Sequence, residues 1–164
     1  MMSRDRTDKS VRAELTWLLN GGNAHAGYDR AVAGLPVRKR GARLDGVPWS
    51  PWMLLEHMRI AQWDILDFCR NPKYKELKWP DEYWPKTVAP PSAAAWRGSI
   101  AGFKRDLRAM VRLVNDPRTD LYAPIPWWRR PISILREAML IGDHNAYHIG
   151  QMIGLRRALG IWKD

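Results

Sequence analysis

An all-α fold, a bundle of four helices in a single domain spanning residues 1–164, is what the sequence predicts, on three observations. Four long segments carry apolar residues at the spacing of one helix face, and none shows the strict alternation of a half-buried strand. Strong boundary signals separate them: Ser50-Pro51, Asn71-Pro72, Pro90-Pro91-Ser92 and Gly160. With 164 residues, 46% hydrophobic content and ten tryptophans, the chain can bury one ordinary core and is too short for two full-sized domains.

The first predicted helix runs from about Lys9 to Val32, with Val11, Leu15, Leu18, Gly22, His25, Asp29 and Val32 on one stripe. Adjacent glycines, Gly21 and Gly22, weaken its middle by roughly 1 kcal/mol each relative to alanine, so a neighbouring helix or a ligand is expected to approach closely there. The second starts at Pro51 behind a Ser50 cap and ends at Arg70. The third follows Ser92, and its seam of Trp96, Ile100, Phe103, Leu107, Met110 and Val114 reads as core up to Asn115-Asp116-Pro117. The fourth starts at Pro131 and runs to about Leu159, with Gly160 as the stop. Between the second and third helices lies a proline-rich stretch carrying Trp79, Tyr83 and Trp84. It is expected to pack across the bundle as a long crossover that makes those two helices parallel.

Composition excludes several function classes. No stretch approaches the roughly 18 apolar residues of a membrane helix, and the amino terminus has charge without the apolar run of a secretory signal, so a cytoplasmic location is expected. A lone cysteine, Cys69, leaves no disulfide framework and no thiolate zinc finger, and it reads as a packing residue. The net charge of +10 raises the question of nucleic acid. Arg97, Lys104, Arg105, Arg108 and Arg112 share one predicted helix, and the pair Trp127-Trp128 precedes another, so phosphates and bases could be gripped. The excess is nevertheless scattered, which favours a solvated basic surface over a nucleic-acid interface.

The four histidines carry the most information. His144 and His148 sit four residues apart on the fourth helix, so both imidazoles project from one face and can share a cation. Glu137, Ile141, His144, His148, Gln151 and Leu155 form a single stripe that faces the core, where polar groups need partners. His57, mid-way along the second helix, supplies a third inward imidazole. A hydrogen-bonded polar network is the alternative to a metal. Three protein ligands leave coordination positions open, as in catalytic zinc sites, and without a thiolate the candidates are Zn, Ni, Fe, Co or Mn. Glu137 and Gln151 could receive ring N–H groups of the ligating histidines. His25, on the inward stripe of the first helix, could be a fourth ligand, a catalytic or substrate-contacting group, or a structural residue.

The segments GGNAHA, LLEHMRIAQWDI and DHNAYHIGQMIGLRRALGIW resemble the DinB/YfiT-like family of bacterial four-helix-bundle metalloenzymes, over nearly the whole chain. The resemblance implies one divalent metal held by His57, His144 and His148, with a histidine at 144 where some members have a carboxylate. It also implies chemistry related to bacillithiol- or mycothiol-dependent transferases and isomerases, and a homodimer. A divalent cation would bring a low-molecular-weight thiol, ordinarily of pKa about 8.5, or a water, within reach of deprotonation. Basic residues at the mouth would then suit an anionic thiol or a carboxylated substrate. The competing functions are a basic nucleic-acid-binding module with a structural metal and a metal-binding scaffold or sensor without turnover.

Overall fold

The structure is a computed structural model that describes residues 4–21 and 24–163. It is all-α: helices α1 (Arg4–Asn20), α2 (Tyr28–Val32), α3 (Pro51–Arg70), α4 (Ala93–Asn115) and α5 (Ile134–Ala158), with a short 3₁₀ turn at Val37–Lys39. Among the described residues the only β pairing is an isolated bridge between Pro124 and Ser133. No helix of these residues is long and apolar enough to cross a membrane.

The starts of α3 and α4 carry the expected serine caps, and two other expected boundaries are corrected. The hydroxyls of Ser50, Ser92 and Ser133 accept from the backbone N–H groups of Met53, Ala95 and Arg136, three residues on in each case. Each caps a helix and satisfies a donor that would otherwise lack a partner. The last helix therefore begins at Ile134, after the Ser133 cap, and not at Pro131. The single first helix is also corrected. Gly21 adopts a left-handed φ of 62° and its N–H closes back on Trp17 and Leu18, so α1 ends at Asn20 and the chain becomes helical again only at Tyr28. Gly22, where a close approach was expected, lies outside the described residues. The tight contact of α1 with α5 occurs instead at Gly142, where a Cβ would lie 2.6 Å from Leu18 Cγ.

Side-chain contacts set the helix directions. Trp52 lies beside Trp96, with ring centroids 6.4 Å apart, and Gln62 donates to the Phe103 carbonyl, so α3 and α4 run parallel. Going the other way, His57 meets His148, and Gln62 meets Asn145, so α5 is antiparallel to α3. Arg12 of α1 donates to the Val114 and Asp116 carbonyls at the far end of α4.

The core has two apolar clusters. One gathers Tyr28, Leu54, Leu55, Met58, Phe103 and Met152; the other gathers Leu15, Leu66, Met110, Val114, Leu121 and Ile141. Between them on α3 and α5 sits a polar layer, His57, Gln62, Asn145 and His148, all buried. Gln62 bridges it, donating through Nε2 to Phe103 O at 2.7 Å and accepting through Oε1 from Asn145 Nδ2 at 2.9 Å.

The crossover, residues 71–92, docks along α3 as the tryptophan and tyrosine content predicts. Ser50 Oγ donates to the Val88 carbonyl and Trp52 Nε1 donates to Thr87 Oγ1. Ser50 is fully buried and therefore both caps α3 and ties down the end of the crossover. Ser50→Ala should cost about 1–2 kcal/mol, seen as a lower urea midpoint with an unchanged slope; a loss well under about 0.5 kcal/mol would show that neither bond matters.

Candidate metal centre

His57, His144 and His148 converge in the polar layer. Nε2 of His57 lies 3.1 Å from Nε2 of His144 and 3.2 Å from Nε2 of His148. The three form the one group of histidine, cysteine or acidic ligands within binding distance of one another among the described residues. Two nitrogens bound to one cation at about 2.0–2.1 Å, with an angle near 100°, would be about 3.1 Å apart. The observed spacings meet that requirement.

Proton positions decide what the spacing means. Nδ1 of His57 lies 2.8 Å from the backbone carbonyl of Tyr83. A carbonyl can only accept, so this nitrogen carries the ring proton and Nε2 presents a lone pair. His148 places Nδ1 2.8 Å from Gln151 Oε1, and with the amide in this orientation it takes the same tautomer. The two Nε2 lone pairs therefore face each other with no proton between them. His144 can donate to one of them, and a shared cation would satisfy all three. Gln151 thus takes the outer position expected of it, and the Tyr83 carbonyl supplies a second such partner that composition could not reveal.

The rings are neutral at physiological pH. Burial lowers His57 to about 4, helped by the nearby His148 and opposed by the Tyr83 carbonyl. Burial, with His148 and His57 beside it, lowers His144 to about 3. Burial lowers His148 as well. Trp84 of the crossover lies flat on His57, with centroids 3.9 Å apart and planes at 3°, and shuts water from that ring face.

A cavity of about 320 Å³ opens beside His57 and His144. Asp64 stands on its wall, its two carboxylate oxygens accepting from Tyr74 and Tyr83 hydroxyls at 3.0 and 2.7 Å. Glu137 lines the same cavity and pairs through Oε1 with Arg136. It does not receive a ring N–H from a histidine. Burial raises the pKa of both carboxyls, against the hydroxyls on Asp64 and the guanidinium on Glu137. Asp64 was absent from the predicted site although it lies seven residues after His57, on the same helix face; its tyrosine partners both come from the crossover, which sequence periodicity does not position.

The structure separates His25 from the other three histidines. It is exposed, in the bend between α1 and α2, with Nδ1 3.1 Å from the Ala26 carbonyl. It lines a different cavity, of about 150 Å³, with Tyr28, Phe103 and Asn145. The helical, inward position expected for it is corrected by the end of α1 at Asn20 and the left-handed turn at Gly21. Cys69 is buried, and burial pushes its thiol well up, as suits a packing residue. Of the features that could grip nucleic acid, Lys104 pairs with Asp29 and Arg105 with Asp106, and the tryptophans are turned to packing: Trp127 Nε1 donates to Phe68 O and Trp128 packs edge-on to Phe68.

No protein-family model, curated protein or solved structure matches the chain.

The depressed histidines make metal-free stability depend on pH. The unfolded chain takes up protons below about pH 6.5, whereas the folded chain resists protonation of His57 down to about 4. Stability present above the unfolded value is therefore lost progressively as pH falls toward 4. Urea midpoints of chelator-treated protein should be lower at about pH 5 than at about pH 7.5, and His57→Gln should shrink the difference. Equal midpoints across that window would contradict the neutral, buried histidines.

Proposed function

We propose that the chain is a metal-dependent enzyme of the DinB/YfiT-like type, a four-helix bundle in which His57, His144 and His148 hold one divalent cation, Zn, Ni, Fe, Co or Mn. The observation that carries it is the convergence of three Nε2 atoms, His57 lying 3.1 Å from His144 and 3.2 Å from His148, with the Nδ1 atoms of His57 and His148 engaged on the far side. When bound, the cation would supply the Lewis acidity that makes a low-molecular-weight thiol or a water a nucleophile near neutral pH. The residues of the chain do the positioning. Tyr83 O and Gln151 Oε1 hold the His57 and His148 rings by their Nδ1–H groups. Trp84 covers one face of His57, and the adjoining cavity offers room for a small substrate. Three protein ligands leave positions open on that side, which favours turnover over a purely structural ion.

Protein purified and dialysed without chelator should contain about one divalent metal per chain by elemental analysis. Alanine at His57, His144 or His148 should each remove most of it, Gln151→Leu should weaken binding by about 10–100-fold, and His25→Ala should leave the content unchanged. Full metal content in all three ligand variants would refute the site. Metal-loaded protein should also accelerate attack of a small thiol or water on an electrophile, and chelation should abolish the rate. Metal binding without turnover across such a screen would make the centre a scaffold or sensor.

A further inference from the structure

The charge of the cavity runs against the charge of the molecule. The chain carries +10 overall, yet the charged residues lining the cavity beside the histidines are Asp64, Glu76 and Glu137 against Arg136 alone. The expectation of basic residues at this mouth is thereby reversed.

Asp64 and Glu137 occupy matched positions. Asp64 is seven residues after His57 on α3, and Glu137 is seven residues before His144 on α5. Seven residues advance about 10 Å along a helix. Because α3 and α5 are antiparallel, both steps lead in the same direction, so the two carboxylates stand at one level below the histidines. They are close enough that the charge of Asp64 contributes to the raised proton affinity of Glu137.

Both are deeply buried, with 5% and 3% of their surface exposed. Glu137 has Arg136 as its counter-charge. Asp64 has only the two tyrosine hydroxyls: among the described residues no lysine or arginine pairs with it. A buried carboxylate without a counter-charge is costly, and here it opens onto a cavity with the aromatic rings of Phe68, Trp79 and Trp128 on its walls. Trp79, 70% exposed, stands where the crossover meets solvent. Ring faces and a carboxylate together are the surroundings that attract an organic cation. Arg136 donates through Nη1 to Glu137, so its charge is partly offset at the cavity wall.

We propose that this cavity binds a small molecule carrying a primary or quaternary ammonium group, with the ammonium seated between Asp64 and Glu137 and the rest of the molecule reaching toward the histidines. The cavity, about 320 Å³, has room for a ligand of roughly ten water volumes. This names the substrate class for the function proposed above and rests on it for the histidine-facing end only. Glu76, exposed at the rim, adds a charge that draws a cation in.

The test compares two probes of similar size, benzyltrimethylammonium and phenylacetate, titrated calorimetrically into metal-free and cobalt-loaded protein at moderate salt. The ammonium should bind at least about tenfold more tightly than the carboxylate in both forms, against the attraction that a net charge of +10 exerts on anions. Asp64→Asn should erase most of that preference, and Glu137→Gln should do so as well by releasing the Arg136 guanidinium. Glu76→Lys, at an exposed position where the fold is not at stake, should weaken the ammonium about threefold or more, with unchanged helical circular dichroism. Equal or tighter binding of phenylacetate to the wild type would overturn the proposal, as would an ammonium preference that survives Glu137→Gln and Glu76→Lys. Cobalt uptake with no ammonium preference would sink this inference and spare the metal centre. Ammonium binding without cobalt uptake would do the reverse.

Discussion

The Nδ1–H of His57 is held by the backbone carbonyl of Tyr83, and that bond decides which nitrogen of the buried ring faces its two neighbours. Tyr83 belongs to the crossover, so the chemistry of the centre depends on how residues 71–92 are docked. Their anchorage is distributed. Val88 and Thr87 are tied to the start of α3 through Ser50 and Trp52, Tyr74 and Tyr83 are tied to Asp64, and Trp84 lies on the His57 ring. The crossover is therefore part of the site: it orients a candidate ligand, covers it and walls the cavity beside it. A backbone carbonyl is well suited to the orienting role because it cannot change tautomer or rotamer.

A polar layer in the middle of a helical core must find partners for every group it buries. Gln62 and Asn145 satisfy much of this layer between themselves and the Phe103 carbonyl, while His57 and His148 engage their outer nitrogens with the Tyr83 carbonyl and Gln151 and turn their Nε2 atoms toward each other. The apolar clusters above and below help bury the layer, and burial keeps the rings neutral and in the form that binds a cation. The parallel course of α3 and α4 and the antiparallel course of α5 then bring Asp64 and Glu137 to one level. The same arrangement that assembles the histidines builds an acidic, aromatic cavity next to them.

Much of this was legible from the residues. Serine caps, flanking prolines and apolar spacing located α3 and α4 almost to the residue, because those signals are local. The pairing of His144 with His148 follows from helix geometry, and His57 from its inward face. The break after Asn20 was harder to read: the cost of Gly21-Gly22 was visible, but the outcome turned on the left-handed conformation of Gly21, and with it His25 left the helix face assigned to it. The Tyr83 carbonyl left no trace in side-chain patterning, since any residue could supply it. Charge misled for a related reason. The net value of +10 describes the whole surface, whereas the cavity is set by four side chains that two helices and a long connection bring together.

The central claim is that three imidazole Nε2 atoms share one cation, and X-ray absorption spectroscopy of zinc-loaded protein tests it most directly. Three nitrogen scatterers at about 2.0–2.1 Å are expected, accompanied by the outer-shell scattering of three imidazole rings and by a lighter scatterer in an open position. A spectrum fitted by oxygen alone, or lacking imidazole outer-shell scattering, would contradict the centre and with it the account of why His57, His144 and His148 are gathered together.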